Sequence, residues 1–228
     1  MQPTEQPTIF ISRDLEQDSV FAQYVAPKAT IIGSSLIEFK AVHFDKLPTC
    51  DWLFFYSKKG IHYCLSQLEE KASLPPIGVI GQASADFLYS KYQIQAQFVG
   101  TGHPEETALA FSKLVQGKKV VFAQALHSNQ SVQQLLDKNV ICYNMITYQN
   151  EVKIDFKLPP VDVLVFTSPL NVKAYFDQYT YHTSQKIISI GRVTAKALKA
   201  IGITTFTIAT APNERALAVA CLQAIQQK

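Results

Sequence analysis

Four turns of the sequence carry small or polar residues that could hold an anionic ligand. Each turn follows an apolar, β-rich run and precedes a helical pattern. The residues at these turns are Ser57, Lys58, Gly81, Thr167, Ser168, Gly191 and Arg192. The first turn of a helix offers free N–H groups and a partial positive charge, and Ser and Thr hydroxyls add further donors. The four turns could therefore bind a ligand with several negative charges, although residues of these types also cap helices without binding anything.

The sequence contains no motif of a common catalytic chemistry. It has no GxGxxG or GK[ST] phosphate loop, no GxSxG elbow, no HExxH and no paired-Asp metal loop. The segment from Gly100 to Gly102 is interpreted as a loop. The five His residues are scattered, and no two of the four Cys residues are close enough to predict a zinc site or a redox motif.

Composition and charge narrow the class of protein. With 228 residues, 47% hydrophobic and 17% charged, the chain is typical of a globular protein with a buried core, which excludes a disordered or collagen-like chain. A net charge of +3 hints at an anionic ligand but falls short of what a dedicated nucleic-acid binder needs. The sequence predicts neither a signal peptide nor a membrane span, and Cys residues among apolar neighbours favour a reduced, cytoplasmic protein.

Strand-like and helical patterns alternate along the whole chain. The predicted strands lie at residues 9–12, 30–33, 52–56, 77–80, 95–99, 119–123, 140–148, 163–166, 186–190 and 205–208. The predicted helices lie at residues 15–26, 59–70, 83–92, 105–116, 131–138, 171–178, 194–201 and 214–226. Continuous apolar strands that alternate with helices predict an α/β protein with doubly wound parallel sheets, covered by helices on both faces.

The chain also repeats itself. Residues 51–57 resemble residues 162–168, and residues 80–85 resemble residues 190–195, at a spacing of roughly 110 residues. The repeat predicts two similar α/β units, with a cleft between them as the default ligand site. Taken alone, it places a simple boundary near Gln116.

Two of these repeated blocks resemble the uroporphyrinogen-III synthase family. Residues 166–172 match the family's F-T-S-x-x-x-V segment, and residues 190–198 match its I-G-x-x-T-A-x-x-L segment. Gly202 and a P-x-x-x-x-L pattern at residues 212–217 follow in the expected order. The resemblance covers nearly the whole chain.

The resemblance extends to single residues and has departures. Arg13 stands where the family ends its N-terminal strand in Arg, and Tyr148 stands where the family has a Tyr after its mid-chain strand. Asp14 and Arg192 occupy places where the family often has Pro. Gln124 follows the strand where the family often has Arg, so a cation that could meet a substrate carboxylate is missing.

The resemblance implies a specific architecture. Two similar doubly wound parallel-sheet domains would be joined by a two-stranded linker, with the chain crossing between them. One domain would hold residues 1–36 and 152–228, the other residues 41–147, and the linker strands would lie near residues 37–40 and 148–151. The two repeats would then exchange their first strands.

It also implies a reaction and a set of site residues. Hydroxymethylbilane would lose its hydroxyl and close to uroporphyrinogen III with inversion of the terminal ring. By resemblance Tyr148 is the proton donor, and a tyrosine suits this role because its ordinary pKa near 10 keeps it protonated at neutral pH. Arg13, Asn171 and Thr194 join the turn residues as expected substrate contacts. No metal or organic cofactor, nucleic acid or membrane is implied, and the expected form is a monomer.

Two other functions fit the same residues. One is a non-catalytic two-domain clamp that binds a polyanionic small ligand without turnover. The other is an unrelated doubly wound domain of the receiver or transferase kind, which predicts a single continuous sheet instead of two.

Overall fold

A computed structural model of the chain describes residues 6–71 and 73–226. Within this part, two compact units are present. One unit contains the chain up to Glu38 and again from Glu151 onward, and the other is Phe39–Asn150. Gln116, where the repeat alone placed a boundary, lies inside the second unit.

The described residues form eleven strands and seven α-helices. The strands are β1 (Thr8–Ile11), β2 (Thr30–Gly33), β3 (Ile37–Ala41), β4 (Trp52–Phe55), β5 (Ile77–Val79), β6 (Phe98–Val99), β7 (Lys119–Ala125), β8 (Ile141–Val152), β9 (Val163–Phe166), β10 (Lys186–Ser189) and β11 (Thr207–Ile208). The helices are α1 (Val20–Val25), α2 (Lys58–Leu65), α3 (Gln82–Tyr92), α4 (Pro104–Val115), α5 (Pro169–Phe176), α6 (Arg192–Ala200) and α7 (Glu214–Gln226).

The discontinuous unit is built on a five-stranded parallel sheet of order β11-β10-β9-β1-β2. The N-terminal strand β1 lies between β2 and β9, so that Ile9 pairs with Ile31 on one side and with Val163 on the other. Helices α1 and α7 cover one face through fully buried side chains such as Phe21 and Leu217. This pairing joins sequence segments more than 150 residues apart into one core.

The second unit is built on a six-stranded sheet of order β3-β8-β7-β4-β5-β6, in which the pairs among β4 to β8 are parallel. Each face of this sheet has its own core, one around Leu53 and Ile61 of α2, the other around Phe54 and Phe111 of α4. Strand β3 lies at the edge beside β8, and just beyond it the N–H of Val42 donates to the carbonyl of Thr147.

The parallel α/β architecture predicted from the sequence is confirmed, and the two sheets exclude the single continuous sheet of the receiver-like alternative. Several predicted elements are shorter than expected, among them the helix predicted at 59–70, which ends at Leu65, and the strand predicted at 205–208, which is reduced to β11. The helix predicted at 15–26 begins only at Val20, where the side chain of Ser19 caps it. The strand predicted at 95–99 is reduced to β6, and just before it Gln97 Oε1 accepts the N–H of Ile77 at 2.6 Å.

The helix predicted at 131–138 is wrong and is replaced by a 3-10 turn at Gln133–Leu135. Side chains of other elements take the backbone donors that a longer helix would need. Tyr56 Oη accepts the N–H of Gln133 at 3.0 Å, and Ser112 Oγ accepts the N–H of Asp137 at 3.2 Å. Tertiary hydrogen bonds therefore override the local helical pattern.

Candidate functional site

In the second unit, Tyr148 and Ser57 meet at the carboxyl edge of the sheet. Ser57 lies just after the end of the buried strand β4, and Tyr148 pairs with Ala125, the last residue of β7. The hydroxyl oxygen of Tyr148 lies 3.3 Å from Ser57 Oγ. The carboxyl edge of a parallel sheet is the side on which α/β proteins bind ligands.

A β-bulge gives Tyr148 its direction. Gln124 pairs with Ile146, but the next residue of β7, Ala125, pairs with Tyr148, so Thr147 is the extra residue. Met145 packs into the core under α2. Because strand side chains alternate between faces, Tyr148 would face away from α2 in a regular strand, and the extra residue turns it back.

The ring of Tyr148 contacts two other aromatic rings. It stacks on Tyr63 of α2 with centroids 5.3 Å apart and 18° between the planes, and it contacts Phe39 of β3 at 6.1 Å. The Tyr63 hydroxyl donates to the Phe39 carbonyl oxygen at 2.8 Å. Tyr148 is half-buried by these contacts, so its orientation is restricted while part of the ring remains accessible.

Ser57 caps α2. Its Oγ accepts the N–H of Gly60 at 3.1 Å. Gly60 permits the helix to approach the sheet, since a Cβ there would lie 3.0 Å from the carbonyl oxygen of Ala123. Lys58, the first helical residue, is exposed. The capping role considered for this turn is present, and it leaves other N–H groups of the first turn to a ligand.

Gly81 caps α3 without a side-chain hydrogen bond. A Cβ at this position would lie 3.2 Å from backbone atoms of Gly102, whose positive φ of 89° favours glycine. The loop interpretation of residues 100–102 therefore holds, and this loop closes over the start of α3.

In the discontinuous unit, Thr167, Ser168 and Asn171 form a hydrogen-bonded turn. The Thr167 hydroxyl donates to the carbonyl of Ser12 at 2.9 Å, and Ser12 Oγ accepts the N–H of Thr167 at 2.9 Å. Ser168 Oγ caps α5 by accepting the backbone and side-chain N–H groups of Asn171. The buried Asn171 also accepts the N–H of Leu36 through Oδ1 at 2.7 Å. The hydrogen bonds between Thr167 and Ser12 thus join the ends of β9 and β1 without a ligand.

Gly191, Arg192 and Thr194 lie one strand further along the same edge. Gly191 caps α6, Arg192 is the exposed first residue of that helix, and Thr194 is buried in its first turn. A Cβ on Gly191 would have Pro212 Cβ, 3.9 Å away, as its nearest neighbour. Because β9 and β10 are adjacent and parallel, this helix start and that of α5 lie at one edge of the sheet.

Arg13 follows β1 at this edge and is paired with an acid. Its Nη1 lies 3.3 Å from Glu214 Oε1, at the start of α7. Although desolvation raises the pKa of the Glu214 carboxyl, hydrogen bonds from the Phe21 N–H and the Ser19 hydroxyl, with the charge of Arg13, lower that pKa below its usual value overall. The positive charge that Arg13 could offer to a ligand is therefore already partly neutralised by Glu214.

The described residues hold no group of three or more His, Cys, Asp or Glu side chains arranged to bind a metal ion. All four Cys residues are free, and burial raises the pKa of the Cys64 and Cys221 thiols to about 12. Among the helices in the described ranges, none is long and apolar enough to cross a membrane.

A family model of uroporphyrinogen-III synthase HemD matches residues 15–218 of the chain. The chain belongs to the uroporphyrinogen-III synthase family. The resemblance noted in the sequence is thereby confirmed. No curated protein sequence matches the chain.

Solved structures of uroporphyrinogen-III synthases share the fold of this family member. The uroporphyrinogen-III synthetase of Helicobacter pylori 26695 is 22% identical with a TM-score of 0.68, and the match covers 96% of this chain and 100% of that one. A mutant uroporphyrinogen III synthase of the extremely thermophilic bacterium Thermus thermophilus is 14% identical with a TM-score of 0.53, covering 97% and 100%. At these identities the likeness concerns the fold.

Gln124 stands where the uroporphyrinogen-III synthase resemblance led us to expect Arg. Its side chain is buried, and its Nε2 donates to Asn144 Oδ1 at 2.7 Å, while its Oε1 has no partner in the described part of the chain. A different cation lies near Tyr148, because Lys59 Nζ is 4.3 Å from the ring centroid of Phe39, which contacts Tyr148.

Sequence reasoning missed two residues around Tyr148, namely Phe39 and Tyr63. A partial signal was present, because Lys59 and Tyr63 lie four residues apart and thus on one face of a helix that Ser57 begins. No local pattern connects that face to β3 or to Tyr148, which are distant in the sequence.

Proposed function

We propose that this chain is a cyclising hydro-lyase, a uroporphyrinogen-III synthase. It converts hydroxymethylbilane to uroporphyrinogen III with loss of water and inversion of the terminal ring. The observation that carries the proposal is the family match over residues 15–218, which includes the Tyr148 position and both helix-start motifs.

The reaction needs a proton donor of moderate strength. The electron pair of the pyrrole nitrogen pushes out the hydroxyl, the C–O bond breaks, and the hydroxyl leaves as water once it receives a proton. The methylene carbon then bonds to the terminal ring at its already substituted α carbon. The bond from that carbon to the neighbouring methylene breaks and re-forms at the ring's free α carbon, which inverts the ring, and this carbon loses its proton, so that only water is lost overall. Tyr148 is the proposed donor, supported by its half-buried position beside Ser57.

The substrate's acetate and propionate arms are the proposed ligands of the helix starts. Within each unit, exposed backbone N–H groups and polar side chains lie at the carboxyl edge of a parallel sheet. The proposed contacts are Arg13, Ser57, Lys58, Gly81, Thr167, Ser168, Asn171, Gly191, Arg192 and Thr194. Thr167 and Asn171 contribute mainly by fixing these turns, since their side chains bond within the protein.

We further propose that residues 1–36 with 152–228 and residues 41–147 act as the enzyme's two domains, with linker strands near 37–40 and 148–151. A cytoplasmic monomer is the proposed form. Free, partly buried thiols suit a reducing compartment.

A coupled assay tests the function. Hydroxymethylbilane is generated in place, the protein is added, and the product isomers are separated by chromatography. We expect uroporphyrinogen III in place of the isomer I that forms spontaneously. Isomer I alone, at the spontaneous rate, would overturn the proposal, and isomer I with tight substrate binding would favour the non-catalytic clamp.

A further inference from the structure

We propose that Tyr63 is a positioning residue that holds the Tyr148 hydroxyl in its reactive orientation. The inference rests on the proposed function, in which Tyr148 is the proton donor. It concerns a residue that contacts Tyr148 without needing to contact the substrate. Its basis is the parallel stack of the two rings, 5.3 Å between centroids and 18° between planes.

Tyr63 is itself held at both ends. Its backbone belongs to α2, whose Ile61, Cys64 and Leu65 are fully buried against the sheet. Its hydroxyl donates to the carbonyl oxygen of Phe39 at 2.8 Å. A ring fixed at its Cα by a packed helix and at its hydroxyl by a strand has little freedom to rotate, so it offers Tyr148 a rigid flat surface.

Tyr148 is in turn restricted by contacts with three groups. Tyr63 covers one face of its ring, Phe39 contacts it at 6.1 Å with a 52° tilt, and Ser57 Oγ lies 3.3 Å from its hydroxyl. Ser57 and Tyr63 both belong to the α2 segment, so one helix sets both the plane of the ring and the place of its hydroxyl oxygen.

The orientation of Tyr148 should affect kcat more than substrate affinity. A donor misplaced by about 1 Å can lose on the order of a hundredfold in rate, because proton transfer requires a short and aligned hydrogen bond. Removing the flat surface of Tyr63 frees the Tyr148 ring to tilt into the vacated space. The turns that are proposed to bind the carboxylate arms keep their own hydrogen bonds.

The experiment compares Tyr63→Leu, Tyr63→Phe and the control Tyr89→Leu in the full chain. Tyr89 is an exposed tyrosine on the neighbouring helix α3 of the same unit. We expect Tyr63→Leu to lower kcat roughly 10- to 100-fold with KM changed less than about threefold. Tyr63→Phe keeps the stack and should restore most of kcat, while Tyr89→Leu should match the unmodified chain.

A double-variant cycle separates positioning from general packing. In a Tyr148→Phe background the hydroxyl is absent, so adding Tyr63→Leu should lower the remaining kcat less than about twofold. If Tyr63→Leu lowers kcat by the same factor in both backgrounds, the inference is wrong. It is also wrong if Tyr148→Phe alone lowers kcat but Tyr63→Leu alone leaves kcat unchanged. If Tyr63→Leu does not fold, Tyr63→Met replaces it, because Met is apolar and forms helices well but has no flat ring.

The two failures are distinguishable. If the unmodified chain yields only isomer I, the proposed function fails and this inference falls with it. If the unmodified chain yields isomer III and only the Tyr63 results disagree, the function stands and the positioning role is wrong.

Discussion

The hydroxyl oxygen of Tyr148 lies 3.3 Å from the Oγ of Ser57, which also accepts the N–H of Gly60. The Oγ of Ser57 therefore both caps α2 and contacts the hydroxyl of the candidate proton donor. Residues 91 positions apart in the sequence meet here because β4 and β7 are adjacent and β8 follows β7 in the sheet. This contact links the start of α2 to the proposed proton transfer from Tyr148.

Tyr148→Phe should lower turnover by roughly 10²- to 10⁴-fold, the usual contribution of a general acid, with a smaller change in KM. The ring keeps its contacts with Tyr63 and Phe39, so the thermal midpoint should stay close to that of the unmodified chain. Initial rates in the isomer assay measure the effect. Tyr143→Phe is the matched control, because Tyr143 is an exposed tyrosine of the same strand. Equal losses in kcat/KM and in binding would assign Tyr148 to substrate positioning instead.

Ser57 variants separate helix capping from ligand binding. Ser57→Ala should cost about 1 kcal/mol of stability through loss of the cap. Ser57→Asp keeps a good capping side chain but adds a negative charge, so stability should be nearly unchanged while KM for the polyanionic substrate rises. Ser90→Asp, on the exposed face of α3, adds the same charge elsewhere as the control. An unchanged KM in Ser57→Asp would show that this turn does not meet the substrate's carboxylates.

Asn171→Leu should destabilise the protein by roughly 2–3 kcal/mol, because the buried N–H of Leu36 loses its acceptor and Ser168 loses a donor. Urea unfolding measures the loss. Asn139→Leu is the control, since Asn139 is exposed. A midpoint of unfolding in Asn171→Leu equal to that of the control would contradict the bridging role of this amide.

Glu214→Gln should change how stability depends on pH. The pKa of Glu214 is lowered in the folded state, so its charged form contributes stability above the unfolded value near 4.3, and that stability is lost as pH falls through the folded value. The unmodified chain should therefore be more stable than Glu214→Gln by roughly 1–2 kcal/mol at neutral pH, consistent with hydrogen bonds to a charged group. The difference should shrink at acid pH.

Urea unfolding across roughly pH 3 to 8 checks this expectation, with Glu16→Gln, an exposed acid in the segment before α1, as control. A difference that is constant across this pH range would mean that the carboxylate charge is not the source of the stabilisation.

The sequence alone supports the alternation of strands and helices, since apolar runs such as residues 52–55 and 163–166 recur between helical patterns. It also supports the family, because the helix-start motifs are local in sequence. Local patterns of this kind depend on the propensity and periodicity of neighbouring residues, which can be read along the chain. The segment 131–138 shows the limit, since distant acceptors on Tyr56 and Ser112 replace its helix with a short turn.

The surroundings of the candidate site were decided by the tertiary structure. The face on which Tyr148 lies depends on the bulge opposite Gln124 and Ala125, and the pairing of Arg13 with Glu214 depends on α7 packing beside α1. Neither has a signature in the neighbouring residues, because register shifts and long-range ion pairs arise only when separate segments compete for the same partners. Residue types and their order thus specified what chemistry was possible, while the packing of α2 against the bulged strand determined that Tyr63 and Ser57 hold Tyr148.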